Sequence, residues 1–385
     1  MTGYNVAREG SVFGMDVHAR SVTVRGFDWA TGEQRSRRFC GPEPAGEIAA
    51  WMGECFTAPH AAAYESGCTG FHLCRRLREA GVRCDVVATS SIPRSSDDRK
   101  RKTDRRDAGR LLSEMMNPAS TLSTVWVPDE GTEAARELAR ARADAAREAA
   151  RAKQRADALL LRHGMVWDQR TPSGRPKKAW GADFLAWARA ADLGGDSQRA
   201  LEFALLSVEE AGARVALLDG MVAESASTPR WAPYVDALAL VKGVDVGTAF
   251  LAAAEFGDFS RFPNGRSVSS WLGLTPSESS SGEKVAHGRI TKCGNAHLRR
   301  ALVEGLSAIS RFSPRPKAPR RGHEVPPEVA AKARDASTRL QERYRHLVVE
   351  AGMNANKAKV ACASELARWL WAIGGMVQAG RAGRA

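Results

Sequence analysis

"RKRKTDRRDAGRL" runs from Arg99 to Leu111 and sets Asp104 and Asp107 three residues apart inside a dense basic block. On a helix that spacing puts both carboxylates on one face, where without a cation they repel. The surrounding arginines could neutralise them, and a solvated, charge-balanced face is the usual outcome for such a block. Two more acids bear on the choice. Asp16 sits in "VFGMDVH" and Glu65 in "HAAAYESG", each near the end of an apolar run that reads as an interior strand. A single acid at a strand end commonly caps a turn. Four carboxylates converging on one sheet edge form a hard oxygen donor set suited to a pair of magnesium ions, or manganese. Two such ions about 3.5–4 Å apart clamp the attacking and leaving oxygens in phosphoryl transfer. Arg99, Lys100, Arg101, Lys102, Arg105 and Arg106 would then hold a nucleic-acid backbone. Spacing alone leaves both readings open.

A second group of residues could supply a nucleophile. "PSESSSG" offers Ser277, Ser279, Ser280 and Ser281, and "GEKVAHGRITKCGN" follows with Lys284, His287, Arg289 and Lys292. A serine hydroxyl needs activation, and the phosphate it attacks needs its charge stabilised, which basic side chains close behind it could do. Gly282, Gly288 and Gly294 would let backbone approach DNA. A flexible serine-rich linker is the plainer reading of the same residues. Arg299 and Arg300 extend the basic run.

The elements that must position these groups follow from hydrophobic patterning. "VFGMDVH" and "SVTVRGFD" read as neighbouring strands, with "TGEQ" as the turn before "RSRRF". Helix "EIAAWMGECF", strand "HAAAYES", helix "FHLCRRLREAG" and strand "VRCDVVAT" come next, so an α/β sheet with helices on its faces is expected. From Glu130 to about His163 the chain turns rich in Ala, Arg and Glu. Ala134, Leu138, Ala141, Ala145, Ala149, Ala152, Ala156 and Leu159 form a heptad-like seam of small side chains. Arg136, Arg140, Arg147 and Arg151 read as solvated ion pairs on the opposite face. A second helical run, "SQRALEFALLSVEEAGARVALLDGMVAE", completes a stalk suited to self-association. "KGVDVGTA", Lys242 to Ala249, is similar to a helix-hairpin-helix turn, though a plain αα-turn has the same glycines.

Bulk properties narrow the class. The 385 residues suffice for two or three domains, and a net charge of +13 favours a polyanionic partner. No apolar stretch approaches the ~18 residues of a membrane span, and "MTGYNVAREGSVFGMDVH" lacks the apolar centre of a signal peptide. Seven cysteines without CxxC spacing suggest neither a disulfide framework nor a zinc site, so a reducing cytoplasm is expected. P-loop, GxSxG and HExxH motifs are absent from the sequence.

The order "GMDVH … YESG … RKTDRRDAGRL … VWVPDE" resembles the N-terminal domain of the DEDD transposases of the insertion sequence 110 family. "FGDFSRFPNGRSVSSWLGLTPSESSSGEKVAHGRITKCGNAHLRRALVE" is similar to that family's C-terminal transposase domain. Lys242 stands where the family often has proline. The resemblance implies a RuvC-like, ribonuclease-H-type α/β domain over 11–122, a helical coiled-coil stalk over 123–234 and a mainly α transposase domain over 235–385. It carries the metal-binding acids onto Asp16, Glu65, Asp104 and Asp107, and the DNA-attacking serine onto Ser281, with Ser280 as its neighbour. It further implies magnesium or manganese, a guide (bridge) RNA, donor and target double-stranded DNA, and a homo-oligomer, dimer or tetramer, with sites assembled between protomers. A cytoplasmic, nucleoid-associated bacterial protein is expected. Two rivals share the residues: a metal-dependent nuclease or Holliday junction resolvase without serine chemistry, and a non-catalytic scaffold whose acids merely pair with arginines.

Overall fold

The computed structural model describes residues 8–93, 104–281, 284–309, 317–320 and 322–383, with backbone alone for 104–106, 278–281 and 284–287. The chain divides into two compact units, residues 1–129 and 130–385.

The first unit is built on a six-stranded sheet. β1 (Ser11–His18), β2 (Ser21–Asp28) and β3 (Gln34–Cys40) form an antiparallel meander. After α1 (Ala45–Cys55) comes β4 (His60–Glu65), parallel to β1; after α2 (His72–Glu79) comes β5 (Arg83–Val87), parallel to β4. α3 (Asp104–Met116) leads to the short antiparallel β6 (Thr124–Val125), giving the order β3-β2-β1-β4-β5-β6. This mixed α/β sheet is compatible with a RuvC-like DEDD domain. Alternation sorts its two faces. Phe13, Met15, Ala62 and Tyr64 point to the side of Ile48, Trp51 and Leu77, while Val12, Ala61, Ala63 and Val87 meet Leu111, Leu112 and Met115 of α3.

Gly14 decides how close α3 lies. A Cβ there would stand 2.3 Å from the Ala108 carbonyl oxygen and 2.5 Å from the Leu112 nitrogen. Gly14→Ala should therefore lift the helix, and overpacking of this kind typically costs about 1–3 kcal/mol. Urea denaturation would measure it; a loss below about 0.5 kcal/mol would mean that α3 is not seated on β1.

The second unit is helical. α4 (Glu130–Arg162) and α6 (Gly195–Ala226) flank the short α5 (Ala182–Arg189). The two long helices run antiparallel: Leu160 clusters with Leu201 and Leu205 at one end, Ala135 and Ala139 with Val222 and Ala226 at the other. Ala145, Ala149, Ala152 and Ala156 of the expected seam are buried, but Ala134 and Ala141 are exposed, and Ala135 and Ala139 take their place. Ala152 and Ala156 pack on Val208 of α6, so much of the seam is filled within the chain. α7 (Ala232–Ala239), α8 (Val246–Phe256), α9 (Gly265–Trp271), the β7 (Pro276–Ser281) and β8 (Lys284–Ile290) hairpin, α10 (Ala296–Gly305), α11 (Pro327–Arg345) and α12 (Ala355–Ala382) complete the fold. Phe250, Phe256, Leu298, Leu340, Leu366 and Leu370 belong to its shared core. Among the described residues no helix is long and apolar enough to cross a membrane.

Candidate active site and nucleic-acid interface

Asp16 and Glu65 are neighbours by register. Met15 of β1 aligns with Tyr64 of β4, so the two acids occupy the next step of the same parallel pair, on strands about 4.8 Å apart. Stepping by two from Val12 through Gly14, and from Ala61 through Ala63, puts both on the face that α3 covers. α3 crosses that face with Ala108 and Leu112 over Gly14 and with Gly109 against Arg25, the residue paired with Gly14. Leu112 and Met115 cluster with Val12, so the helix runs from the Asp16 end of β1 toward its start. Asp104 lies one turn before Ala108, about 6 Å along the helix. Asp16 lies two residues beyond Gly14, about 6.6 Å along the strand. The first turn of α3 thus reaches the strand ends that carry the other two acids.

Asp107 is half-buried, with its Oδ1 3.5 Å from Nη2 of Arg110. Oδ2 of Asp16 lies 3.1 Å from Nε2 of His18, a residue that sequence reading passed over although it sits two positions on along the same strand. Among the described side chains no group of three or more His, Cys, Asp or Glu is gathered as a metal site. The side chain of Asp104 is outside that description.

The serine segment, expected as a loop, is a β-hairpin: Ser281 pairs with Lys284, Ser280 with Val285 and Ser279 with Ala286. Ladder hydrogen bonds use only backbone, so a run of serines satisfies them as well as valines do. The hairpin rises from a fixed root. Thr291 N–H donates to the Thr275 carbonyl at 3.0 Å and Lys292 N–H to that of Gly273 at 3.1 Å. Gly273 has φ +63°, and a Cβ there would meet the Cys293 carbonyl oxygen at 2.1 Å. No other residue fits this crossing.

The expected phosphate contacts divide into groups. Arg99, Lys100, Arg101 and Lys102 lie outside the described residues, as do the side chains of Arg105, Arg106, Ser281, Lys284 and His287. Arg289, Lys292 and Arg300 are exposed. Arg299 is half-buried and donates Nη1 to the Leu272 carbonyl at 2.7 Å, and burial pushes its pKa down. A groove of about 740 Å³ is lined by Arg142, Asp245, Gly247, His297, Arg300 and Lys317, beside the "KGVDVGTA" turn. Asp245 caps α8 there, accepting from Thr248 N–H at 2.7 Å.

Arg136 and Arg140 are not on a solvated face. Glu255, 1% exposed, accepts from Nε and Nη2 of Arg140 at 2.7 and 3.0 Å and from Nδ2 of Asn295 at 2.7 Å. Arg136 donates to the Ala254 and Glu255 carbonyls, both at 2.8 Å. α8 packs on this side of α4, a partner more than a hundred residues away, which local charge patterning does not reveal. Asn295 also caps α10 through Leu298 N–H. The one signal in the sequence was a lone glutamate in the apolar run "AFLAAAEF". Burial, with Arg140 nearby, holds the pKa of His297 below its ordinary value.

A transposase model of the DEDD, IS110 type matches residues 13–165, and one described as transposase IS116/IS110/IS902 family matches residues 235–320. A Sinorhizobium fredii protein that carries the transposase name y4qE is 36% identical over 317 residues, 80% of this chain and 74% of that protein. The transposase for insertion sequence element IS1533 of Leptospira borgpetersenii is 29% identical over 208 residues, 53% of this chain and 57% of its own length.

Proposed function

The chain belongs to the IS116/IS110/IS902 transposase family and is a DNA transposase, and from that premise we propose that it is guided by a bridge RNA and rejoins DNA through a serine linkage. The observation that carries the catalytic part is the first turn of α3 lying at the strand ends of Asp16 and Glu65. Asp16, Glu65, Asp104 and Asp107 offer only carboxylate oxygens, the donors that magnesium or manganese takes, and they would hold the ions. When bound, the ions would neutralise charge on the attacking and leaving oxygens. The Ser281 hydroxyl attacks a DNA phosphorus as a bridging P–O bond breaks, and the departing DNA oxygen takes up a proton. Phosphodiester bonds are conserved in number, so religation needs no ATP. Basic side chains along β8 and its root, Lys284, His287, Arg289 and Lys292, would hold the phosphate, and Arg299 and Arg300 would extend that contact, as the Arg99–Arg106 block would beside the acids. Bridge RNA, donor and target duplexes, and further copies of the chain are the partners.

The test is a covalent adduct. DNA–peptide conjugates mapped by mass spectrometry should carry the DNA on Ser281, and Ser280→Ala should leave their yield intact. An adduct on Ser280 would move the nucleophile by one residue; no adduct would leave a purely hydrolytic nuclease. The interface has its own measurement. Arg289→Gln and Lys292→Gln should each lower the slope of log affinity against log salt by about one unit. Slopes equal to the parent's would mark both residues as merely solvated.

A further inference from the structure

α6 has two apolar faces. Leu201, Leu205, Val208, Ala211, Val222 and Ala226 are buried toward α4. On the opposite side Phe203, Leu206, Leu217 and Met221 are 71%, 49%, 61% and 44% exposed. At 100° per residue these four fall within about 60° of one another, in line with Glu210 and Arg214 between them. Four of the seven large exposed hydrophobics among the described residues therefore share one stripe of one helix. Scattered exposed leucines need no explanation, but a continuous stripe does.

We propose that this stripe pairs with the same stripe of a second copy of the chain, antiparallel, about a two-fold axis at Gly212. The residue positions are self-complementary about that point. Phe203 and Met221 lie nine residues to either side, Leu206 and Leu217 six and five, Glu210 and Arg214 two each. A two-fold axis there sets Phe203 on Met221 of the other copy, Leu206 on Leu217, and Glu210 on Arg214, each contact made twice. Parallel pairing would instead oppose glutamate to glutamate and arginine to arginine. Within the chain, Arg214 makes an exposed 3.7 Å pair with Glu148, weak enough in water to be exchanged. The inference specifies the homo-oligomer of the proposed function. It rests on none of the serine or RNA chemistry, so it can fail or hold separately from them.

Sedimentation of the full chain without nucleic acid tests it. The parent should sediment as a dimer or a multiple of one, and Leu217→Glu should dissociate that dimer. Glu210→Arg or Arg214→Glu alone should raise the dissociation constant at least about tenfold by opposing like charges. The double reversal, Glu210→Arg with Arg214→Glu, should restore it. Both charged positions are exposed, so unchanged thermal melts will show that folding is intact. A monomeric parent would overturn the proposal, as would a dimer indifferent to Leu217→Glu or weakened further by the double reversal.

Discussion

Asp104→Asn is expected to abolish DNA strand cleavage, by on the order of a thousandfold or more, while leaving RNA and DNA binding close to the parent's. The size follows from what a divalent ion contributes to a phosphoryl-transfer barrier, several kcal/mol, at about 1.4 kcal/mol per tenfold. A merely structural role predicts something else. An acid in the first turn of a helix interacts with the helix dipole for about 0.3–1 kcal/mol, so its loss would shift melting slightly and leave turnover near normal. Cleavage and melting measured on the same preparation separate the two. Activity in the parent should require magnesium or manganese and vanish in EDTA. Full activity in chelator, or an active Asp104→Asn protein, would remove the metal site from the mechanism.

Mixing two inactive proteins should restore strand exchange. Ser281→Ala removes the attacking oxygen, and loss of a nucleophile costs at least on the order of a thousandfold. Asp104→Asn removes an acid. In the chain, α4 and α6 lie between these residues, and the serine of one protomer is expected to work with the acids of another. Co-assembled with guide RNA and both DNAs, the pair should recover part of the exchange that neither performs alone, with the adduct on the protomer that keeps Ser281. No recovery in verified mixed oligomers would confine serine and acids to a single chain. Because α6 of the same chain fills much of the alanine seam, the proposed contacts between protomers would lie on other surfaces.

Where residues alternate or repeat locally, the sequence was a good guide. β1, β2, β4 and β5 stand where alternating or unbroken apolar runs put them, and the alternation of helix and strand after β3 is as expected. Asp16 and Glu65 were readable as strand-end acids because each interrupts an apolar run. The close seat of α3 was not readable: Gly14 looks like any strand glycine until Ala108 is known to lie above it. The serine hairpin was hidden because its residues have no pattern of hydrophobicity to show a strand. Arg136 and Arg140 looked solvated because α4 alternates charges, and their acceptor, Glu255, is supplied from another helix.

Glu255 also limits how such chains can diverge. Arg140 from α4, Glu255 from α8 and Asn295 at the start of α10 meet around a carboxylate that is itself 1% exposed. Changing Glu255 takes the shared carboxylate from Arg140, Arg136 and Asn295 at once, whereas changing Arg140 leaves Glu255 with Asn295 and with Arg136, whose Nε lies 3.6 Å away. Descendants of this sequence can therefore lose Arg140 more readily than Glu255. In a large set of relatives, position 255 should vary less than position 140.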